Sequence, residues 1–279
     1  MPPHLKLMRP KQWVKNVFVF LPLIFTGLFT DPDAVIQVLF AFVMFCLASS
    51  ATYILNDWQD IEADRQHPTK QHSRPLASGQ VSIRSAKFML AILYSILLVI
   101  AVFQPMVALV ISGYIVLNLA YSFYLKHQPI LDIFTIALGF VLRVYAGSVA
   151  IDVPVSGWMF ITTLCLALYL GAIKRRQELL TSGPNTRGVL KEYSIELIDR
   201  YAEMSAIGAL MFYSLFVMSE KPELVYSIPL VLYGLFRYWY LVDRHQDGES
   251  PTDVLYKDGQ LVLTILIWGG LCLYSLLPS

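Results

Sequence analysis

Where a long apolar stretch ends, the chain reads Asn56-Asp57-Trp58-Gln59-Asp60-Ile61-Glu62-Ala63-Asp64. Asn56, Asp60 and Asp64 are spaced i, i+4, i+8, which on a helix puts them in one stripe. Hard oxygen ligands one turn apart suit Mg²⁺, an ion that takes a few carboxylates and completes its shell with substrate phosphates and water. Asp57 points about 100° away from that stripe, and either orders the neighbouring loop or holds a second ion. Next come His67-Pro68-Thr69-Lys70-Gln71-His72-Ser73-Arg74-Pro75-Leu76-Ala77-Ser78-Gly79. Arg74 has the planar fork that grips phosphate oxygens, and Pro75 and Gly79 shape a loop able to fold over a site. His67 and His72 read as solvated loop residues rather than ligands. Carboxylates beside a guanidinium are apparatus for stabilising diphosphate charge.

The elements that must position these groups are membrane spans. Hydrophobic residues make up 56% of the chain and charged residues only 15%, with a mean hydropathy of +0.58. Soluble domains carry about 25% charged residues, so much of this surface must face lipid. A net charge of +1 gives no basic field for nucleic acid. Cys46, Cys165 and Cys272 lie scattered in apolar segments with neither metal nor disulfide spacing. Stretches long enough to cross a bilayer as helices lie near 14–30, 34–55, 86–103, 105–124, 130–150, 157–173, 202–219, 224–242 and 260–277, with a tight hairpin at Gln104-Pro105. The first is read as a retained span, not a cleaved signal. No interval accommodates a soluble domain, so 1–279 is expected to be a single integral membrane catalytic domain.

Alternating the nine spans across the bilayer puts 18 of the 21 Lys and Arg residues in loops on one side. The exceptions are Lys221, on the other side, and Arg143 and Arg237, within spans. By the positive-inside rule the basic side, which also carries the carboxylate motif, is cytoplasmic. Arg143 lies well inside the fifth span, where an arginine normally faces a cavity or a partner. It either binds substrate or pairs with an acid such as Asp132. Arg237, near a span end, snorkels to the interface as an anchor.

Asn56-Asp57-x-x-Asp60-x-x-x-Asp64 followed by Arg74-Pro75-Leu76-x-Ser78-Gly79 resembles the first aspartate-rich motif of the UbiA-type intramembrane prenyltransferase superfamily. The resemblance covers essentially the whole chain. It implies an all-α polytopic membrane protein, nine transmembrane helices around a central cavity, with a Mg²⁺-diphosphate site under a cytoplasmic cap. The chain departs from the typical pattern after the sixth span. Where a second acidic motif is usual, it reads Lys174-Arg175-Arg176-Gln177-Glu178. Those cations suit direct binding of phosphate; a positive-inside anchor is the plainer alternative for Arg176.

Three segments are similar to the decaprenyl-phosphate phosphoribosyltransferase branch: Arg9-Pro10-Lys11-Gln12-Trp13-Val14-Lys15-Asn16, Tyr121-Ser122-Phe123-Tyr124-Leu125-Lys126 with Asp132, and the Lys174-Arg175 loop. The branch moves 5-phosphoribose from phosphoribosyl diphosphate (PRPP) to a polyprenyl phosphate, releases diphosphate, and feeds arabinose donors for cell-wall polymers. Carried onto this chain, the resemblance implies Mg²⁺ on Asn56, Asp60 and Asp64. It places phosphate or substrate contacts at Lys15, Arg74, Tyr121, Lys126, Arg143, Lys174 and Arg175. Asp60, Asp64, Lys15 and Tyr121 would stand closest to the chemistry. Tyr121 also fits a plain interface anchor. The implied location is a bacterial inner (plasma) membrane with the site facing the cytoplasm, and a homo-oligomer is compatible with the sequence. The rival within the fold is an aromatic prenyltransferase with a prenyl diphosphate donor, which calls for an acidic second motif. A transporter is the rival outside it, but transporters carry ionisable groups at the midplane, whereas here charges keep to the loops, with Arg143 as the main exception.

Overall fold

The computed structural model describes residues 1–66, 70–183, 188–245 and 257–277, and among these every regular element is helical. His67 and Arg187 lie outside the described residues. A short α1 (Pro3–Met8) precedes a 3-10 run (Pro10–Phe20) that continues into α2 (Leu21–Phe25). Then follow α3 (Pro32–Gln59), α4 (Ile61–Gln66), α5 (Lys70–Ser73), α6 (Ile83–Ala101) and α7 (Pro105–Phe123). The chain continues through α8 (Leu131–Ala150), α9 (Gly157–Ser182), α10 (Ile195–Glu220), α11 (Ile228–His245) and α12 (Gly259–Ser275).

Polar side chains start the helices. Asp31 accepts from the Asp33 amide ahead of α3, with Pro32 in the first turn. Ser82 and Ser194 cap α6 and α10 in the same way. The expected hairpin lies between α6 and α7, where Pro105 opens α7 and the buried Gln104 donates to the Gln37 backbone carbonyl at 3.0 Å.

Among the described residues, seven helices are long and apolar enough to span a membrane. This differs from the expected nine at the two ends of the chain. The last apolar helix, α12, has 17 residues, and the first segment is mostly 3-10 rather than α. Leu98, Val102, Phe103 and Phe236 on the outside are at least two-thirds exposed, as lipid-facing side chains are. The chain is a multi-pass membrane protein.

The first segment packs where α8 offers no side chain. A Cβ at Gly147 would fall 1.9 Å from the Val19 carbonyl oxygen, so only glycine admits the backbone here. Val19, Val38, Phe45, Ile111, Tyr114 and Ala146 form one core, joining this segment to α3, α7 and α8. A second, including Tyr169, Ile173, Leu190, Ile198, Tyr238 and Leu261, joins α9 through α12. Between the first segment and α9–α12 lies an apolar chamber of about 110 Å³, bounded by Phe18, Phe25, Leu166, Tyr213, Phe216 and Trp268.

Candidate active site

The carboxylate stripe does not run along one continuous helix. α3 stops at Gln59, and Asp60 (φ −93°, ψ 9°) is its C-cap. The spacing nonetheless survives the break. The Asp60 amide bonds the Asn56 carbonyl at 2.9 Å, and the Asp64 amide bonds the Asp60 carbonyl at 2.8 Å. Asn56 Oδ1 accepts a hydrogen bond from Ser122 Oγ at the end of α7 (2.5 Å). Asp60 is about half exposed and has Lys126 Nζ 3.5 Å from its Oδ1. Asp64 is buried. Among the described residues no three His, Cys, Asp or Glu side chains cluster as a metal site by themselves. The expected set of Asn56, Asp60 and Asp64 contains two residues of those types, with an amide as its third member.

Asp57, left open between a loop-ordering role and a second ion, is buried and takes both Arg9 and Arg74 on its Oδ1. Its second oxygen, Oδ2, is buried without a hydrogen-bond partner among the described residues. Asp57 thus ties the first segment and the Arg74 loop to the end of α3. Both arginines keep roughly a quarter of their side-chain surface exposed.

The basic half of the site is built differently from the even row of cations that the sequence suggests. Arg175 is fully buried. Its Nε donates to Asp132 Oδ2 at 2.6 Å, Nη1 to Glu178 at 2.5 Å and Nη2 to the Tyr121 hydroxyl at 3.1 Å. Lys174, beside it, is a third exposed and lies 3.8 Å from Glu178. Arg176 turns the other way, onto Asp199 of α10 at 2.8 Å and Asp243 of α11 at 3.1 Å. It fastens three helix ends together.

Lys15 is half-buried on the first segment, which is fixed to α3 by Trp13 Nε1 on Ser50 Oγ at 3.0 Å and by Asn16 Nδ2 on Ser49 Oγ at 3.2 Å. Arg143 lies apart from the carboxylates. Its Nε donates to Asn16 Oδ1 at 2.7 Å, its Nη1 to the Gly139 carbonyl at 2.7 Å and its Nη2 to the Tyr114 hydroxyl at 3.2 Å. The rings of Phe45, Tyr114 and Phe140 surround its guanidinium. The expected alternative, a pair with Asp132, is not formed. Both residues are on α8, separated by about 16 Å of helix rise, and Asp132 belongs to Arg175. Arg237 likewise does more than anchor: it forks onto Asp258 at 3.1 and 2.7 Å.

These contacts bring Asn56, Asp60, Arg74, Tyr121, Lys126 and Arg175 to one end of the bundle, with α7 and its following loop joining the two halves. The profile of the UbiA prenyltransferase family matches residues 17–255. The chain belongs to this family. Among curated UbiA relatives, the decaprenyl-phosphate phosphoribosyltransferase of Mycolicibacterium smegmatis is 34% identical over 95% of this chain and 90% of that one. The protein of the same name from Corynebacterium glutamicum is 35% identical over 95% and 83%. A UbiA homologue from Archaeoglobus fulgidus, solved bound to GPP and Mg²⁺, superposes with a TM-score of 0.76 over 98% of this chain and 99% of that one, at 18% identity. The fold is therefore the UbiA fold.

Several residues of this UbiA site escape a reading of the sequence. Asn16 stands out only as a polar residue among Val and Phe, and Ser122 only by following Tyr121. Tyr193, whose hydroxyl donates to Asp132 Oδ1 at 2.7 Å, leaves no local signal, because its partners are on α8 and in the loop before it. Burial pushes the Tyr193 phenol well above its ordinary pKa.

Proposed function

We propose that the protein transfers 5-phosphoribose from PRPP to a polyprenyl phosphate, decaprenyl phosphate by analogy with its relatives, and releases diphosphate. The observation that carries this reading is the relationship itself: the chain is about one-third identical to two decaprenyl-phosphate phosphoribosyltransferases over nearly its whole length. An aromatic prenyltransferase binds one diphosphate. The phosphoribosyl reaction gathers a diphosphate and two monophosphates, and partly exposed Arg9, Arg74, Lys126 and Lys174 suit that larger charge.

The residues present fit Mg²⁺. They are hard oxygen donors, and the orphaned Asp57 Oδ2 next to them is a buried anionic atom of the kind a nearby cation offsets. Asn56, Asp60 and Asp64 would hold the ion, whose chemistry is to lower the charge on the departing diphosphate. Arg74, Lys126 and Lys174 bind phosphate oxygens, and Lys15 approaches from the first segment. The Tyr121 hydroxyl, accepting from Arg175, directs its own proton to a phosphate or ribose oxygen. The lipid phosphate is already ionised and needs no base. Its oxygen forms the new bond to C1 as the C1–diphosphate bond breaks, and the electron pair of that bond leaves with diphosphate. Rate comes from positioning and from stabilising the departing charge.

In this reading the first segment with α2, together with α12, completes nine crossings. The site faces the cytoplasm of a bacterial plasma membrane, and the apolar chamber suits part of the lipid tail. The test is purified protein with Mg²⁺ and radiolabelled PRPP plus polyprenyl phosphate, and separately with prenyl diphosphate plus 4-hydroxybenzoate, followed by lipid extraction. Phosphoribosylated lipid from the first pair is expected. Product from the second pair alone would overturn the reaction and leave the fold standing.

A further inference from the structure

The loop between α7 and α8 contains a backbone outlier. Ile130 has φ 69° and ψ −49°, a combination that β-branched side chains avoid on steric grounds. The Leu131 amide bonds the Pro129 carbonyl at 2.8 Å across it, closing a γ-turn of the rare positive-φ kind, which is strained. The Ile130 side chain is 45% exposed, so its own burial does not compensate. Residues held in such conformations persist where their surroundings over-determine them, and they gather at functional sites.

What over-determines Ile130 comes from another part of the chain. Its amide donates to the Tyr193 hydroxyl oxygen at 2.6 Å, and that hydroxyl donates to Asp132 Oδ1 at 2.7 Å. Asp132 Oδ2 in turn accepts from Arg175. Tyr193 is 7% exposed, and Asp132 and Arg175 are fully buried. One phenolic oxygen therefore pins the strained turn to the buried ion pair. Just upstream, the chain is linked turn by turn. The Asp132 amide bonds the Gln128 carbonyl at 3.1 Å, and the Gln128 amide bonds the Leu125 carbonyl at 3.2 Å. Lys126 sits within that linked run, its ammonium 3.5 Å from Asp60.

We propose that Tyr193 is a positioning residue: its hydroxyl holds the strained turn at Ile130 and thereby sets Lys126 against Asp60, coupling the segment between α9 and α10 to the carboxylate half of the site. Only the kinetic consequence rests on the proposed reaction. Tyr193→Phe removes one oxygen and keeps the buried ring, so it tests the hydroxyl with little threat to folding. The first readout needs no substrate: acylation of individual lysines in the detergent-solubilised full chain, followed by mass spectrometry. Tyr193→Phe is expected to raise acylation of Lys126 about three- to tenfold, the scale of one lost hydrogen bond, and to leave Lys11 and Lys221 as in wild type. Adding Ile130→Gly, which adopts positive φ without steric cost, is expected to reverse most of that rise. Unchanged Lys126, a rise shared by all three lysines, or a rise that Ile130→Gly leaves in place would each overturn the proposal. The second readout is PRPP turnover. Tyr193→Phe should raise KM for PRPP with a smaller effect on kcat, and add nothing in a Lys126→Ala background, because both act through one group. Additive effects would overturn the coupling. A wild-type protein that turns over no PRPP sinks the proposed reaction instead, and the acylation result still decides the role of Tyr193.

Discussion

Arg175 and Asp132 meet at 2.6 Å with neither side chain exposed to solvent. One residue comes from the cationic run that the sequence offers to phosphate, the other from the start of α8. A buried pair of this kind is strongly destabilising to break, because the remaining charge is left uncompensated. Arg175→Met and Asp132→Asn should therefore each cost about 3–5 kcal/mol of stability, read as a lower midpoint of thermal unfolding in detergent. Replacing both, Arg175→Met with Asp132→Leu, should cost less than Arg175→Met alone. An Arg175→Met protein of wild-type stability, deficient only in substrate affinity, would show that the charge is used on substrate rather than on Asp132.

Lys174 stands next to Arg175 in sequence and differs from it in situation. It is a third exposed and lies 3.8 Å from Glu178. Lys174→Ala should leave the unfolding midpoint close to wild type. It should raise KM for PRPP or for the lipid phosphate about ten- to a hundredfold, the loss of one or more charge-assisted hydrogen bonds. Steady-state kinetics with each substrate varied in turn checks this. Equal KM values for both substrates would remove Lys174 from the phosphate site.

Asp60 is half exposed and its partner is the Lys126 ammonium, so its charge can be removed without opening the core. Asp60→Asn should abolish turnover while the protein still inserts, purifies and unfolds as wild type does. EDTA should inactivate the wild type, and added Mg²⁺ should restore it. Full activity in EDTA, or an active Asp60→Asn enzyme, would remove the metal assignment.

The charge asymmetry of the loops predicts sidedness. In a background with Cys46, Cys165 and Cys272 replaced, a cysteine at position 70 should react with an impermeant thiol reagent only from the cytoplasm. One at position 222, after α10, should react only from outside. Labelling of both from one side would break the nine-span reading and with it the shared face of the site.

Much of this protein is legible in its residues taken in order. Hydropathy marks where helices run, because a bilayer demands long apolar stretches with internally satisfied backbones. The Asn56–Asp64 spacing and the three branch-like segments identify the UbiA family. The N-terminal and C-terminal spans are less legible, since apolar composition alone does not separate a 3-10 run or a 17-residue helix from a full α-helical crossing. The partner of each polar or charged group is decided only by tertiary structure. Arg74 lies against Asp57, Arg175 against Asp132, Arg143 against Asn16, and the Ile130 amide against Tyr193. Three of these four pairs join residues on different helices or loops that are far apart in sequence. Composition determines that a cation lies at the membrane face. Whether it meets a carboxylate, an amide or a substrate depends on how each helix is rotated against its neighbours, and that rotation is set by packing such as the seat of Val19 on Gly147, which no local pattern encodes.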